Sequence, residues 1–268
     1  MGPLIDALRN QNVILFAGAG VSMNVGLPSW SKLIDEVASR VGYEPDIFSQ
    51  LGDHLTLAEY YILNAGAIGE LRSKMDTQWH SNEQRAKVES SEIYRMLVTL
   101  PFNIIYTTNY DRYFEWACNK HEREYIKIAN VGDLVHARDH GLQIVKFHGD
   151  FDDDQSIVLT EASFFERLSF ESPLDIKLRS DVLGKTILFV GYSLADINMR
   201  LLFYKLHKMW ASSPHSKARP RSYIFLARPN SVQEAVLKSR GIESIVSSVD
   251  DPKEGLTNFL RELYKHLE

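Results

Sequence analysis

The sequence predicts an α/β fold, a doubly wound Rossmann-like parallel sheet with a helical insertion. Three observations lead to this prediction. Short apolar runs alternate with segments of helical periodicity along most of the chain. Small or polar residues follow several of these runs directly, as they do where strands of such a sheet end. The 268 residues suffice for one large α/β domain, or for a core that carries one sizeable insertion.

Seven apolar runs are predicted strands. The first, NVILFA at 12–17, is followed by a glycine turn and is typical of a strand buried on both faces. The other six predicted strands are 103–107, 124–128, 142–147, 186–190, 222–227 and 242–246.

Helical periodicity predicts the connections between these strands. A helix is expected at 31–41, capped by Ser29 or Ser31. Further helices are expected at 111–120, 131–137, 194–210 and 232–239, and a last one closes the chain.

Residues 43–100 show a helical pattern almost throughout, with no strand pattern. Breaks fall near Pro45, Gly52 and Ser81. We therefore predict a single domain over 1–268, with a Rossmann-like core at 1–42 and 101–268 and a helical insertion at about 43–100.

Composition narrows the class of protein. Hydrophobic residues make up 44% and charged residues 24%, which is ordinary for a soluble globular protein. The net charge of -5 does not favour direct nucleic-acid binding, which usually requires a basic face. We find no signal peptide and no apolar run near the ~20 residues of a membrane span, so we expect a cytoplasmic protein without membrane contact.

Cys118 is the only cysteine in the sequence. One cysteine cannot form an intramolecular disulfide or a CxxC zinc site, and we predict no metal. Its neighbours Trp116 and Ala117 indicate a buried helix position.

The first predicted strand is followed by Gly18-Ala19-Gly20-Val21-Ser22. Small residues let backbone N–H groups approach a phosphate at the start of a helix. A tight turn between a strand and a helix would have the same composition, so the motif is weak alone.

Three later strands also end in candidate functional residues. Asn109 lies in the turn after the second strand, and Asp111 either belongs to a site or caps the next helix. His148 precedes a glycine and could exchange protons near neutral pH, although a single histidine is often structural. Gly191 and Ser193 form a second candidate phosphate or ribose contact, or an ordinary helix cap. The carboxyl ends of parallel strands meet in one crevice, which strengthens the four signals together.

These motifs together resemble those of the sirtuin family. The matching pieces are Gly18-Ala19-Gly20-Val21-Ser22, Gly26-Leu27-Pro28, Thr107-Thr108-Asn109-Tyr110-Asp111, Phe147-His148-Gly149 and Gly191-Tyr192-Ser193. They occur in the family's order and extend over most of the chain.

The sequence also departs from sirtuin deacylases. Ser29-Trp30 follows Pro28 in place of Asp-Phe-Arg, Tyr192 interrupts the usual Gly-Thr-Ser, and the four-cysteine zinc module is absent from the sequence. The strand that pairs with the acyl peptide has no clear equivalent. The variant pattern is similar to the sirtuin-like domains of bacterial anti-phage systems, which hydrolyse NAD.

The resemblance implies roles for individual residues. Asn109 would orient a water or a ribose hydroxyl, and His148 would accept a proton. Asp111 would contact the nicotinamide carboxamide. The phosphates and the adenosine ribose would be held by Gly18, Ala19, Gly20, Ser22, Gly191 and Ser193.

The expected activity is hydrolysis of NAD, bound as substrate, to nicotinamide and ADP-ribose. The resemblance also implies a homo-oligomer, a regulatory partner such as a HerA-type ATPase, or both. A protein deacylase or ADP-ribosyltransferase remains an alternative, as does a non-catalytic sensor of NAD or ADP-ribose. A nuclease subunit with a metal at 152–154 is a weaker alternative, because three aspartates in a row are more typical of a solvated acidic loop.

Overall fold

Seven strands form one sheet in the computed structural model, which describes residues 1–137, 141–167, 171–192 and 197–267. Their order across the sheet is β3-β4-β2-β1-β5-β6-β7, and all six neighbouring pairs run parallel. The strands are β1 (Val13–Ala17), β2 (Ile104–Thr107), β3 (Tyr125–Ile128), β4 (Leu142–Lys146), β5 (Thr186–Val190), β6 (Ser222–Leu226) and β7 (Ile242–Val246). The predicted doubly wound parallel sheet is confirmed.

Strand β1 lies at the point where the chain changes direction across the sheet. After β1, the chain forms β2, β3 and β4 on one side of it. It then places β5, β6 and β7 on the other side, with β5 paired directly to β1. Ala17, the last residue of β1, pairs with Thr107 of β2 and with Val190 of β5. Ligands of doubly wound sheets bind in the crevice at this position, outside the carboxyl ends of the strands.

Helices cover both faces of the sheet. Alternate side chains of β1 show this, because Leu15 and Ala17 belong to one buried cluster, whereas Ile14 and Phe16 belong to another. The described helices are α1 (Gly2–Arg9), α2 (Ala19–Met23), α3 (Trp30–Arg40), α4 (Pro45–Phe48), α5 (His54–Ala65), α6 (Gly69–Trp79), α7 (Asn82–Glu89), α8 (Glu92–Thr99), α9 (Tyr113–Lys120), α10 (Val131–His136), α11 (Glu161–Glu166), α12 (Pro173–Gly184), α13 (Ile197–Ala211), α14 (Ser231–Ser239) and α15 (Pro252–Lys265).

Helices α4 to α8 fill the chain between α3 and β2. Their starts follow local capping chemistry. Asp53 accepts hydrogen bonds from the first backbone N–H groups of α5, and Ser81 and Ser91 cap α7 and α8 in the same way. Of the two caps expected for the helix after the glycine turn, Ser29 is the one used.

A third buried cluster contains side chains of the four helices α3, α4, α5 and α6 and of loops at the carboxyl edge of the sheet. Apolar side chains of these helices pack around Phe151, Tyr110 and Leu159. Tyr110 and Phe151 follow β2 and β4, so this cluster fixes the helices against two of the strand ends that carry candidate functional residues.

Helices α11 and α12 were not anticipated from the sequence. Both begin with capping boxes, in which Thr160 pairs with Ser163 and Ser172 pairs with Asp175. Helix α12 leaves Ile176 exposed among its apolar residues, so its sequence lacks the clean apolar stripe from which a helix is predicted.

Cys118 is buried in α9, as expected. Burial and the nearby Glu115 raise the pKa of its thiol to about 12. Within the described ranges, no helix is both long and apolar enough to cross a bilayer.

Two glycines let the ends of β1 and β5 touch. A Cβ atom at Gly18 would lie 2.5 Å from the carbonyl oxygen of Gly191 and 2.5 Å from a ring carbon of Tyr192. Gly191 has a φ of 62°, in the left-handed region that favours glycine. The N–H of Gly20 donates to the Gly191 carbonyl at 2.9 Å. The two turns therefore pack backbone against backbone.

We expect Gly18→Ala to lower the free energy of unfolding by about 1–3 kcal/mol, because the added methyl group would collide with the backbone of Gly191 and with the backbone and buried ring of Tyr192. Thermal or urea unfolding of the purified variant measures this. Gly184→Ala is the matched control, since nothing lies within 4 Å of a Cβ atom there. Equal stability of the two variants would contradict the close packing of the turns.

Candidate active site

The turns after β1, β2 and β4 lie side by side at the carboxyl edge of the sheet. Strand β2 stands between β1 and β4, with Thr107 paired to Ala17 on one side and to Lys146 on the other. Asn109 and His148 each come two residues after this last β2–β4 pair. The two predicted catalytic residues therefore extend from neighbouring strand ends at the same level.

The Asn109 side chain is held in one orientation. Its Nδ2 donates to the Gly18 carbonyl at 3.2 Å and to the Ser22 hydroxyl at 3.0 Å. Its backbone N–H donates to Oγ1 of Thr107 at 3.1 Å. Both amide protons are used by the protein, so Oδ1 is the atom through which Asn109 could accept a hydrogen bond from a water or a hydroxyl.

Ser22 is the centre of this hydrogen-bond cluster and is fully buried. Its hydroxyl donates to Oδ2 of Asp111 at 2.7 Å and lies 3.0 Å from the hydroxyl of Tyr94. A serine hydroxyl has one proton to give and two lone pairs, so with Asn109 and Tyr94 as donors it is satisfied. Ser22 thus supports Asn109 and Asp111, and its predicted contact with the phosphates or ribose of NAD stays a prediction.

Tyr94 belongs to the cluster, although no local motif marks it. It lies on α8, far along the chain from the glycine turn. Burial raises the pKa of its phenol well above the ordinary value, and the Asp111 carboxylate raises it further. The phenol therefore stays protonated and can donate to Ser22.

The Asp111 side chain makes two hydrogen bonds, one near the start of the next helix and one inside the buried cluster. Its Oδ1 accepts from the backbone N–H of Tyr113 at 3.1 Å, at the start of α9. Its Oδ2 accepts from Ser22 within the buried cluster. A contact with the nicotinamide carboxamide stays a prediction.

His148 lies in the turn after β4 and is 4% exposed. Its ring meets the Phe164 ring edge-on, with 5.0 Å between centroids. Its backbone carbonyl accepts from the N–H of Val158 at 2.9 Å. Gly149 follows with a φ of 97°, and a Cβ atom there would collide with the backbone of Ser156. The loop after β4 therefore fixes this turn, because its residues Ser156 and Val158 pack against Gly149 and His148.

Two backbone N–H groups of the glycine turn after β1 donate hydrogen bonds to the end of β5 and the turn that follows it. The N–H of Gly18 donates to the Val190 carbonyl at 3.0 Å, and the N–H of Gly20 donates to Gly191. Ala19 stands between them as the first residue of α2. Ser193, the remaining predicted contact, lies outside the described residues.

A network of charged side chains lies directly behind the turns. Lys146 ends β4 and is 1% exposed. Its Nζ donates to the backbone carbonyl of Asp111 and lies 3.3 Å from Oε1 of Glu115 and 3.7 Å from Oδ2 of Asp150. The sequence did not single out Lys146, although a lysine in the otherwise apolar run IVKF is the signal that could have found it.

Two of the three aspartates at 152–154 form ion pairs, and Asp153 accepts a hydrogen bond from the backbone N–H of Gln155. Asp152 pairs with Arg112 at 2.8 Å and also with Lys127, and Asp154 pairs with Arg72 at 2.7 Å. Within the described ranges, no group of three or more His, Cys, Asp or Glu side chains could hold a metal ion. Asp152 and Asp154 are exposed, as expected for an acidic loop in contact with solvent, and their ion pairs also tie this loop to neighbouring segments.

A cavity of about 370 Å³ adjoins the His148 turn. Phe147 and Gly149 line it together with Ser172, Leu174 and the cationic Arg167. Neither Asn109, which is 8% exposed, nor Asp111, which is 2% exposed, is among the residues that line this cavity.

Curated relatives of the chain carry names that concern NAD and defence. A protein of Bacillus cereus (strain MSX-D12) named "NAD(+) hydrolase ThsA" is 32% identical over 230 residues, which is 82% of this chain and 44% of that protein. One of the same name from Enterococcus faecium is 33% identical over 72% of this chain and 40% of its own length. "Defense-associated sirtuin 2" of Bacillus subtilis is 26% identical over 79% of this chain and 21% of its length. The chain spans less than half the length of each of these three.

A family model described as "SIR2-like domain" matches residues 103–245. The match begins just before β2 and includes the turns with Asn109 and His148, β5 and nearly all of β7. It agrees with the parallel sheet and with the order of the strand-end motifs. More than half of the chain is matched, and the chain belongs to the SIR2-like domain family.

Proposed function

We propose that this chain is an NAD glycohydrolase that converts NAD and water to nicotinamide and ADP-ribose. The observation that carries the proposal is the fixed amide of Asn109, held by Gly18 and Ser22 beside the turn of His148. An asparagine and a histidine at adjacent strand ends supply the two groups that a hydrolytic attack on the ribose needs. The names of the relatives support the choice of NAD as substrate.

The chemistry of NAD sets what the protein must provide. The bond between the nicotinamide ring nitrogen and C1′ of the ribose breaks, and its electron pair returns to the ring. Nicotinamide therefore leaves as a neutral molecule and needs no general acid. The transition state resembles an oxocarbenium ion, so the protein has to position the ribose and aim a nucleophile at C1′.

Asn109 is suited to aim that nucleophile. Its amide group cannot rotate without losing the bonds to Gly18 and Ser22, so Oδ1 keeps one direction. A water that donates to Oδ1 would be held for attack before the bond breaks. Positioning of this kind lowers the entropic part of the barrier.

His148 is suited to take the proton that the attacking water loses. A neutral imidazole nitrogen can act as a general base, and base catalysis of this kind typically contributes ~10²–10⁴-fold. The water's oxygen forms the new bond to C1′, and its proton passes to the imidazole. Every atom of the products is then accounted for without a metal.

Water is the proposed acceptor because the sequence lacks the parts that deacylases use for a peptide. The chain has a single cysteine and so cannot build a four-cysteine zinc module. The loop after β4 returns through Val158 to the backbone of His148 and occupies this edge of the site. An acylated lysine or an acceptor protein as co-substrate would be the competing result.

We further propose that the activity depletes NAD during defence against phage in the cytoplasm. The names "NAD(+) hydrolase ThsA" and "Defense-associated sirtuin 2" support this role. Uncontrolled hydrolysis of NAD would harm the cell itself. We therefore propose control by homo-oligomerisation or by a separate partner, such as a HerA-type ATPase.

Asn109→Ala and His148→Ala should each reduce nicotinamide release by at least about 10²-fold, because one removes the group that aims the nucleophile and the other removes the base. Release from NAD by the purified protein, followed by chromatography, measures this. The assay is run at several protein concentrations, so that an oligomeric active form is included.

Matched controls for these two variants are Asn64→Ala and His215→Ala, which alter exposed residues. They should keep wild-type turnover. If both site variants also kept wild-type turnover, the assignment of Asn109 and His148 would be wrong. Binding of NAD without turnover at any concentration would favour the sensor alternative.

ADP-ribose should form in a one-to-one ratio with nicotinamide, at a rate that acylated peptides do not change. The reason is that water, at its bulk concentration, is the only acceptor required. Quantifying both products with and without an acetyl-lysine peptide measures this. Nicotinamide release that depends on the peptide, or ADP-ribose attached to a protein, would instead identify a deacylase or an ADP-ribosyltransferase.

A further inference from the structure

Lys146 is a charged residue in a place where charge is costly. It ends β4, an internal strand of the sheet, between the apolar Val145 and Phe147, and 1% of it is exposed. A buried ammonium group is tolerated only when it is paired and hydrogen-bonded. Its position in the fold therefore depends on the groups that surround Nζ.

Three chain segments contribute those groups. Nζ donates to the backbone carbonyl of Asp111 in the turn after β2. It pairs with Glu115 in α9 at 3.3 Å, and with Asp150 in the loop after β4 at 3.7 Å. One ammonium group thus ties together the turn with Asn109 and the loop that begins with His148.

The charge on Lys146 is secure at neutral pH. Burial alone would lower its pKa, but the carboxylates of Glu115, Asp150 and Asp111 outweigh burial and raise the pKa above the ordinary value. Glu115 behaves differently, because burial raises the pKa of its carboxyl group against the opposing effect of Lys146. Lys146 therefore keeps its positive charge among these buried side chains.

The Asp111 carbonyl is the contact that matters most for the site. Ser22 holds the side chains of Asn109 and Asp111 from the β1 side. Lys146 holds the backbone of the same turn from the β4 side. The turn is thus held by hydrogen bonds from the strands on both sides of β2.

Asp150 extends this support to the other turn. Besides Lys146, its Oδ2 faces Lys127 at 3.4 Å, and its Oδ1 accepts from the backbone N–H of Asp152 at 2.9 Å. It is fully buried two residues after His148. The separation between the two turns is therefore set through the ammonium group that they share.

We propose that Lys146 is a positioning residue for NAD hydrolysis, whose ammonium holds the Asp111 carbonyl and the Asp150 carboxylate so that Asn109 and His148 keep their mutual geometry. This role rests on the proposed function of those two residues. Lys146 touches neither substrate nor reacting atoms; it acts on turnover through the two turns.

The test asks whether Lys146 positions the two turns or only neutralises the buried carboxylates around it. Lys146→Met alone leaves buried carboxylates without a partner and should lower the melting temperature. Lys146→Met combined with Glu115→Gln removes one charge of each sign and should recover much of that loss. The proposal expects kcat for nicotinamide release to stay about 10- to 100-fold below wild type in the double variant, with the KM for NAD changed less than about threefold.

Two comparisons complete the experiment. Glu115→Gln alone should keep kcat within about threefold of wild type, because Lys146 retains its bond to Asp111. Lys177→Met is the matched control, since it removes a partly buried lysine from an ion pair with Asp181 on α12. It should leave both kcat and KM unchanged.

The proposal is overturned if the double variant recovers kcat together with its melting temperature, since Lys146 would then only balance charge. If the double variant does not fold, the kcat of Glu115→Gln alone becomes the test of the proposal. A tenfold loss of kcat in that variant would overturn it. Wild-type turnover that disappears in Asn109→Ala supports the proposed function independently of the lysine series. Absence of wild-type turnover under every condition would remove both proposals.

Discussion

The hydroxyl group of Ser22 connects the parts of this protein on which the candidate site depends. It accepts hydrogen bonds from Asn109 and Tyr94 and donates one to Asp111, so that the turns after β1 and β2 and helix α8 meet at one buried atom. Each bond is modest in water, but a buried polar group left without its partner costs about 1–3 kcal/mol. The cluster is therefore stable only when all its members are in place, which favours one arrangement of the turns.

The close packing of glycines makes that arrangement possible. The Gly18 turn lies against Gly191, with no room for a side chain between the two backbones. On the other side of Asn109, Lys146 holds the Asp111 carbonyl from β4. Steric contact on one side and buried charge on the other thus place the β2 turn between two fixed neighbours. The roles proposed for Asn109 and His148 depend on a fixed separation of their two turns, which this packing supports.

The helices between α3 and β2 also contribute to the site. Arg112, next to Asp111, pairs with Asp76 of α6 at 2.7 Å, and its backbone N–H donates to Nε2 of His80 at 3.1 Å. Burial lowers the pKa of His80, although Asp76 opposes this, so the ring is neutral and can accept that hydrogen bond. These two contacts connect α6 directly to the turn that carries Asn109.

The strands, their parallel arrangement and the strand-end turns could be predicted from the sequence, because they follow from local signals: continuous apolar runs, glycines and polar residues at fixed positions. Asn109, Asp111 and His148 could be chosen as candidates in the same way, since each follows a recognisable strand. What these residues contact could not be predicted, because it depends on how distant segments pack. Tyr94 reaches Ser22 from 72 positions away in the chain, and Lys146 reaches Asp111 from 35 positions away. No local pattern encodes such contacts, because they arise when separate segments pack and a buried polar atom must find a partner.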